Sequence, residues 1–553
     1  MMKRKAAYFS MEIGIDSNIH TYSGGLGVLA GDTLKSAADL KIPIIGVTLI
    51  HRKGFMNQVF KNGYQHEEDA DWNFKKYLKD LKKTVTIKIE GREVKIKAWK
   101  YDLKTKGTVP IIFLDTDIKS NTDYDKSLTD KLYAGDQKHR LCQEVILGIG
   151  GLKILKELGY EVETHHMNEG HAALLTLELY DQIKQENKSL KHEEIKDEVK
   201  KKCVFTTHTP IPAGHDHFDK GLAKEVLKNY PIYLLSAGNI ENGLNMTKLA
   251  LEYSKYSNAV AMKHGEVSKS MFPKHDIDYI TNGVHSYTWT NKYLAKVFDE
   301  EIPQWRQSPY YLRNVLNVPL NKIKRAHNKA KKDLINYINK NYKKDFRDDV
   351  FTIGFARRAT AYKRADLLFS DINKLKEIAE KRGNIQIVYS GKAHPHDYQG
   401  KEIIQKIIGQ EKELGDKIKF VYLENYDIEI AKLMLSGVNL WLNTPLRPNE
   451  ASGTSGMKAS HNGVPNFSIL DGWWIEGCVE GITGWSIGEN YREGDQYHID
   501  KESLYEKLDL IILPLYYKDY YKYIEVMRNS IALNASYFNT HRMLKDYITK
   551  GYY

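Results

Sequence analysis

Cysteine is scarce in this chain: Cys142, Cys203 and Cys478 are all there is in 553 residues, an odd number without paired spacing. That excludes a disulfide framework and a zinc ribbon, and it points to a reducing cytoplasm. No apolar stretch approaches the roughly eighteen residues of a membrane span. The basic start, Lys3-Arg4-Lys5, runs into apolar residues that Glu12 interrupts and that read as a strand, which excludes a secretory signal. No basic run is interleaved with aromatic residues, so the formal charge of +11 reads as solvated surface plus local phosphate sites rather than a nucleic-acid platform. There is no internal repeat.

What the chain does have is alternation. Its length exceeds one core and fits two domains, 1–289 and 290–553, with the boundary near Trp289. The second half reads strand Val350–Phe355, helix Ala365–Arg382, strand Ile385–Tyr389, helix Ile403–Leu414, strand Ile418–Tyr422, helix Ile428–Ser436 and strand Val438–Leu442. Alternation of this kind predicts an α/β fold with a parallel sheet covered by helices. The first half opens in the same way: strand Ala6–Ser10, the glycine turn Gly24-Gly25-Leu26-Gly27 leading to a helix, and strand Pro43–Leu49. That is the phosphate-binding half of a doubly wound sheet, decorated by an antiparallel hairpin (Thr84–Glu90 and Glu93–Trp99) and a further strand, Val109–Leu114. Ile183–Lys202 reads as a solvated, charge-rich helix, and the tail Tyr516–Tyr553 as helical and aromatic-rich, leaning back across the domain junction.

The most informative stretch follows the last of these strands. Glu450-Ala-Ser-Gly-Thr-Ser-Gly-Met-Lys458 is a loop of small residues feeding a short helical pattern that Asn462-Gly463 stops. Glycines let a backbone approach a ligand, Ser452, Thr454 and Ser455 offer hydroxyls, and the amides of a first helical turn face an anion. A lysine held beside such a cradle and out of water loses basicity, as a Schiff base with an aldehyde cofactor requires. A second anion site is expected in Ala356-Arg-Arg-Ala-Thr-Ala-Tyr-Lys-Arg364, because cations crowded at the end of a parallel strand need a dianion to hold them together. His208, in Thr206-Thr-His-Thr-Pro-Ile-Pro-Ala-Gly-His215, sits at the mouth of a strand, where open sheets place ligands. His166, Glu169 and His171 lack the spacing of a helical zinc site, so no metal is expected.

Taken in order, these segments, with Leu470-Asp-Gly472 and Asp276-Ile-Asp-Tyr-Ile-Thr-Asn-Gly-Val-His285, resemble the α-glucan (glycogen, starch, maltodextrin) phosphorylases, in their short bacterial and archaeal branch. The resemblance covers nearly the whole chain. It implies two Rossmann-like domains facing across a cleft, the glycosyltransferase B architecture, and pyridoxal 5'-phosphate as cofactor. Lys458 would be the cofactor lysine, with Thr454, Ser455, Gly456 and Tyr426 around the cofactor. Arg358 and Lys363, with the amides of Gly24, Gly25, Leu26 and Gly27, would bind substrate phosphate. Glu450, Ser452, Gly453, Asn282 and His208 would hold the sugar, and Lys458, Arg358, Lys363 and His208 would carry the catalysis.

The implied reaction is retaining phosphorolysis of terminal α-1,4 bonds of a glucan, reversible, releasing α-glucose 1-phosphate. No pair of motifs advertises the two carboxyl groups that a hydrolase needs. The alternatives are a nucleotide-sugar-dependent glucan synthase of the same plan, which would lack the cofactor lysine, and a glucan-binding protein with a decayed site. Two departures stand out: Thr360-Ala361 replaces the His-Glu pair of the longer phosphorylases, and Asp427 stands where a basic residue is expected. The expected partners are the glucan and inorganic phosphate, with no nucleic acid and no membrane, in a homo-oligomer. Too little precedes the first strand for a regulatory arm, so neither phosphoserine nor nucleotide control is expected.

Overall fold

The computed structural model describes residues 2–133, 135–238, 240–488 and 495–553. They form two compact units that share the chain unevenly. The first is Met1–Met56, Asp69–Thr281 and Met543–Tyr553; the second is Asn57–Glu68 and Asn282–Arg542. No described helix is long and apolar enough to cross a membrane.

In the first unit, strand Met2–Phe9 pairs in parallel with Ile44–Leu49 on one side and with Tyr160–Asn168 on the other. Thr108–Asp115 continues one flank; Cys203–Thr206, Tyr256–Ala259 and Asp278–Tyr279 continue the other. Numbered along the chain, these seven parallel strands run 3-2-1-4-5-6-7 across the sheet. The hairpin Lys79–Ile89 and Arg92–Lys104 joins antiparallel at the edge, as its alternation predicts, turning at Glu90 and Gly91, both left-handed. Helix Gly25–Asp39 starts inside the glycine turn itself.

The second unit is a six-stranded sheet, parallel throughout: Phe351–Ala356, Ile385–Ser390, Ile418–Leu423, Leu440–Asn443, Asn466–Ile469 and Gly484–Ile487. Numbered in chain order these run 3-2-1-4-5-6, the Rossmann order. Phe351–Ala356 and Ile385–Ser390 are buried at every position, which is why they read as continuous apolar runs rather than alternating ones. The helix expected from Ala365 begins only at Ile372, where the Asp371 carboxylate caps the Lys374 amide at 3.0 Å; a single 3-10 turn, Leu367–Phe369, precedes it.

Helix Leu320–Tyr342 buries one stripe against helices Ile428–Gly437 and Tyr520–Asn529, and the stripe contains Lys331, 1% exposed. Its Nζ donates to the Val350 carbonyl at 2.5 Å and to Asn439 Oδ1 at 2.7 Å. Burial pushes its pKa down to about 7, against a smaller opposing pull from Asp348 and Asp349. In the unfolded chain a lysine titrates near 10.4. Between pH 7 and 10 the unfolded state therefore binds more protons, and stability rises with pH. Over the whole window the gain is on the order of 4 kcal/mol. Lys331→Met is expected to flatten the rise of the urea midpoint between pH 7 and 10; an equal rise in wild type and variant would show that Lys331 is not its source.

Candidate active site

Open parallel sheets bind ligands where the strand order reverses, outside the carboxyl ends of the two strands that flank the reversal. In the second unit those strands are Phe351–Ala356 and Leu440–Asn443. The first delivers the arginine-rich loop from Arg357, and the second delivers the segment that leads to Glu450. The two loops meet. Arg357 Nη2 lies 2.7 Å from Glu450 Oε2, Lys363 Nζ contacts the same oxygen, and Arg357 Nη1 donates to Asn443 Oδ1 at 3.1 Å. Burial opposes ionisation of Glu450, but the two cations hold its carboxyl below the usual range. Asp471 accepts the Glu450 amide at 2.9 Å and the Gly472 amide at 2.9 Å, yet burial pushes it up to about 6.

Arg357, Asn443, Glu450, Ser452, Ser455 and Asp471 line one small depression at this mouth. Of the phosphate residues expected from the sequence, Lys363 is buried here, whereas Arg358 is exposed and makes no side-chain hydrogen bond among the described residues. Arg357, its neighbour, is the arginine turned inward. Adjacent residues in a loop point in different directions, and nothing in the string Arg-Arg says which. Arg364 is structural: it donates to the Thr444 and Pro445 carbonyls and pairs with Asp500.

The small-residue loop runs along the same mouth. Gly453 is left-handed (φ 80°), and a Cβ on Gly456 would stand 2.3 Å from Asn466 Oδ1 and 2.8 Å from the Trp473 ring. Ser455–Ser460 is a short helix, and Lys458 within it is 7% exposed, its Nζ 4.2 Å from the centre of the Trp289 ring. The Trp289 carbonyl and the Lys458 carbonyl both accept from Asn462 Nδ2, at 2.7 and 3.0 Å, which fixes ring and lysine together. Ser452 Oγ, Thr360 Oγ1 and Asn282 Oδ1 are buried without a hydrogen-bond partner among the described residues. Of these, Ser452 lines the depression, where an orphaned hydroxyl is what a polyhydroxyl ligand satisfies. Tyr426 is partly buried, and burial pushes its phenol up while the Arg357 charge pulls it down. The unexpected Asp427 has a local job: its carboxylate caps helix Ile428–Gly437, accepting the Ile430 amide at 2.8 Å.

In the first unit the order reverses between Met2–Phe9 and Tyr160–Asn168. Gly24 and Gly25 have open space around them, and the amides of Ser23 and Gly24 donate to Glu12 Oε2 at 2.6 and 3.2 Å. A Cβ on Gly27 would meet the same carboxylate at 2.6 Å. His208 Nε2 lies 2.6 Å from Asn168 Oδ1, and burial pushes the imidazole down to about 4, Glu169 partly offsetting it. Glu169 has φ 75° and ψ 166°, a region that non-glycine residues occupy only when the surroundings force it. Its Oε2 accepts the His208 amide at 2.7 Å and Thr209 Oγ1 at 3.0 Å, so the strained residue holds the His208 loop. The sequence offered Glu169 as one of an acidic-plus-histidine cluster but gave no sign of this bracing role. Gly24 to Gly27 and His208 belong to the first unit; Asn282, Arg358, Lys363, Tyr426, Glu450 and Ser452 to Lys458 belong to the second.

Comparison with known proteins agrees with the resemblance read from the motifs. The family model for carbohydrate phosphorylases matches residues 15–137 and 232–483. Maltodextrin phosphorylase of Thermococcus litoralis is 37% identical over 590 aligned residues, covering 99% of this chain and 70% of the relative. Glycogen phosphorylase of Aquifex aeolicus is 34% identical, covering 100% of this chain and 86% of the relative, and that of Mycobacterium tuberculosis 31% identical, covering 99% and 70%. With its two loops of cations and small residues meeting at the sheet's reversal point, the chain belongs to the carbohydrate phosphorylase family.

Proposed function

We propose that this protein is an α-glucan phosphorylase: inorganic phosphate cleaves the terminal α-1,4 bond of a glycogen- or maltodextrin-like glucan and releases α-glucose 1-phosphate, reversibly and with retention. The observation that carries the reading is the meeting of Arg357, Lys363 and Glu450 at the mouth where the Lys458 loop also ends. In this reading the two Rossmann-like domains divide the chain close to 1–289 and 290–553, apart from the segments 57–68 and 543–553 that cross over.

The residues around Lys458 suit pyridoxal 5'-phosphate. Gly453, left-handed, lets the backbone turn close to a bound group, Thr454 and Ser455 offer hydroxyls, and Lys458 is the amine for attachment, with Tyr426 as a further contact in this reading. When bound, the cofactor supplies a phosphate group that buffers the proton of the substrate phosphate.

Arg358, exposed and uncommitted among the described residues, and Lys363 hold the substrate dianion, Arg357 adding a third cation. The glycine turn, Gly24, Gly25, Leu26 and Gly27, closes on the same group with its backbone. Such preorganised donors stabilise an oxocarbenium-like transition state by placing the dianion under the sugar. Glu450 is held ionised by its cations and accepts from sugar hydroxyls, while the Ser452 hydroxyl and the Gly453 amide donate to sugar oxygens. Asn282 and His208 complete the sugar contacts. His208, neutral at pH 7 because of its burial, serves as a hydrogen-bonding group rather than a charge. Polar atoms left orphaned by a sugar lacking one hydroxyl would penalise it strongly, which is the source of glucose selectivity.

The test is direct. Purified protein is incubated with maltodextrin with and without inorganic phosphate. Phosphate-dependent glucose 1-phosphate is expected; oligosaccharide left intact in both arms would overturn the proposal.

A further inference from the structure

The hairpin Asn57–Lys61 and Tyr64–Glu68 belongs to the second unit, although the chain on either side of it, up to Met56 and from Asp69, belongs to the first. It turns at Asn62-Gly63, both left-handed, a hairpin signal in its own right. What it brings to the second unit is two glutamines, Gln58 and Gln65, each 0% exposed. Glutamine amides are rarely buried without a reason, because every donor and acceptor taken from water must be matched.

Apart from the bond between the two glutamines and one from Gln65 Nε2 to Glu67 Oε1 at 2.7 Å, these amides reach two loops. Gln58 Nε2 donates to the Gly391 carbonyl and to Gln65 Oε1, both at 2.9 Å. Gln58 Oε1 accepts the Asn425 amide at 3.1 Å, while the Gln58 backbone amide and carbonyl take Asn425 Oδ1 at 2.5 Å and Asn425 Nδ2 at 2.9 Å. Gln65 Oε1 accepts the Ala393 amide and Gln65 Nε2 donates to the Ala393 carbonyl, both at 2.9 Å, as a strand neighbour would. Lys401 closes the far side by pairing with Glu67 at 2.8 Å.

The two loops so gripped lie against the site. Gly391 passes so close to the arginine-rich loop that a Cβ on it would stand 1.9 Å from the Arg357 carbonyl oxygen. The Ala359 amide donates to the Lys392 carbonyl at 3.0 Å, and Arg357 N donates to the Ser390 carbonyl at 3.3 Å. Asn425, itself left-handed, is followed directly by Tyr426. A shift of either loop is therefore a shift of Arg357, Ala359 or Tyr426.

We propose that Gln58 and Gln65 are positioning residues for phosphate: through the loops 391–393 and 425–426 they set the placement of Arg357–Lys363 and Tyr426. This rests on the phosphorolysis reading above. Each glutamine uses its amide as donor and acceptor at once, so an isosteric carboxylate cannot reproduce it.

The experiment uses the full chain with cofactor and the variants Gln58→Leu, Gln65→Leu and, as a same-shape control against misfolding, Gln58→Glu. The expected result is a KM for phosphate raised about tenfold or more, with the KM for maltodextrin within about twofold of wild type. In protein without substrate, amide hydrogen exchange of 357–363 and 424–427 is expected to quicken in the variants. A lowered melting temperature with both KM values unchanged, or unchanged exchange in those segments, would overturn the proposal. Wild type that releases no glucose 1-phosphate would instead overturn the functional reading, and the exchange measurement would still decide whether the clamp exists.

Discussion

Lys458→Ala is expected to lose phosphate-dependent glucose 1-phosphate release by about 10⁴-fold, more than any single contact at the site can supply. The size follows from its position. Lys458 is buried on a short helix at the mouth of the sheet, locked to Trp289 through Asn462, and it is the amine proposed to attach the cofactor. Losing the amine removes the attachment and with it the phosphate group that buffers the reacting proton, whereas the fold loses a cation stacked on a ring, worth roughly 1–2 kcal/mol. Two measurements are needed together. The visible absorbance that pyridoxal phosphate gives the wild type should vanish from the variant, and the melting temperature without added cofactor should stay close to that of cofactor-stripped wild type. A variant that keeps both the absorbance and the turnover would refute the role of Lys458.

The second large effect is on stability. Ending the chain at Arg542 removes Met543–Tyr553, which belongs to the first unit. Met543, Leu544, Tyr547 and Tyr552 are all 3% exposed or less and pack with Ala6, Tyr8, Val204 and Ile280. Tyr552 Oη lies 2.7 Å from His166 Nδ1, and Tyr547 Oη accepts from Thr206 Oγ1 and Asn258 Nδ2, both at 3.2 Å. At about 2–4 kcal/mol for each large buried side chain, the loss is on the order of 10 kcal/mol, comparable to the whole stability of a domain. The first unit of the shortened chain is expected to be digested by protease under conditions that spare the full-length protein. Tyr552→Phe, which removes only the hydroxyl from His166, is expected to cost about 1–3 kcal/mol. A truncated protein with the wild-type melting curve would contradict both estimates.

The parts of this architecture that could be read in the sequence are those encoded locally. Buried parallel strands such as Phe351–Ala356 announce themselves as unbroken apolar runs, and the hairpin Lys79–Ile89 and Arg92–Lys104 by its period of two. The loop of small residues at Glu450–Lys458 and the cation loop at 356–364 were legible because their compositions are odd for ordinary turns. Facing was not. The choice between Arg357 and Arg358 depends on one dihedral in a loop, and no periodicity reports it. Gln58 and Gln65 look like surface residues in any hydropathy reading; their burial is decided by partners more than 300 positions away, at Gly391, Ala393 and Asn425. Asp427 reads as a departure from the family pattern until the helix it caps is in view, when it becomes an ordinary N-terminal aspartate.

The uneven sharing of the chain has a consequence for biosynthesis. The unit whose strands leave the ribosome first is missing a wall until its final segment, Met543–Tyr553, has been made. Its greasy pocket around Tyr8 and Val204 must wait, open, through the synthesis of more than 250 intervening residues from Asn282 to Arg542. A chain stopped at Arg542 would thus carry a good second half and a first half still seeking its lid, a natural client for chaperones.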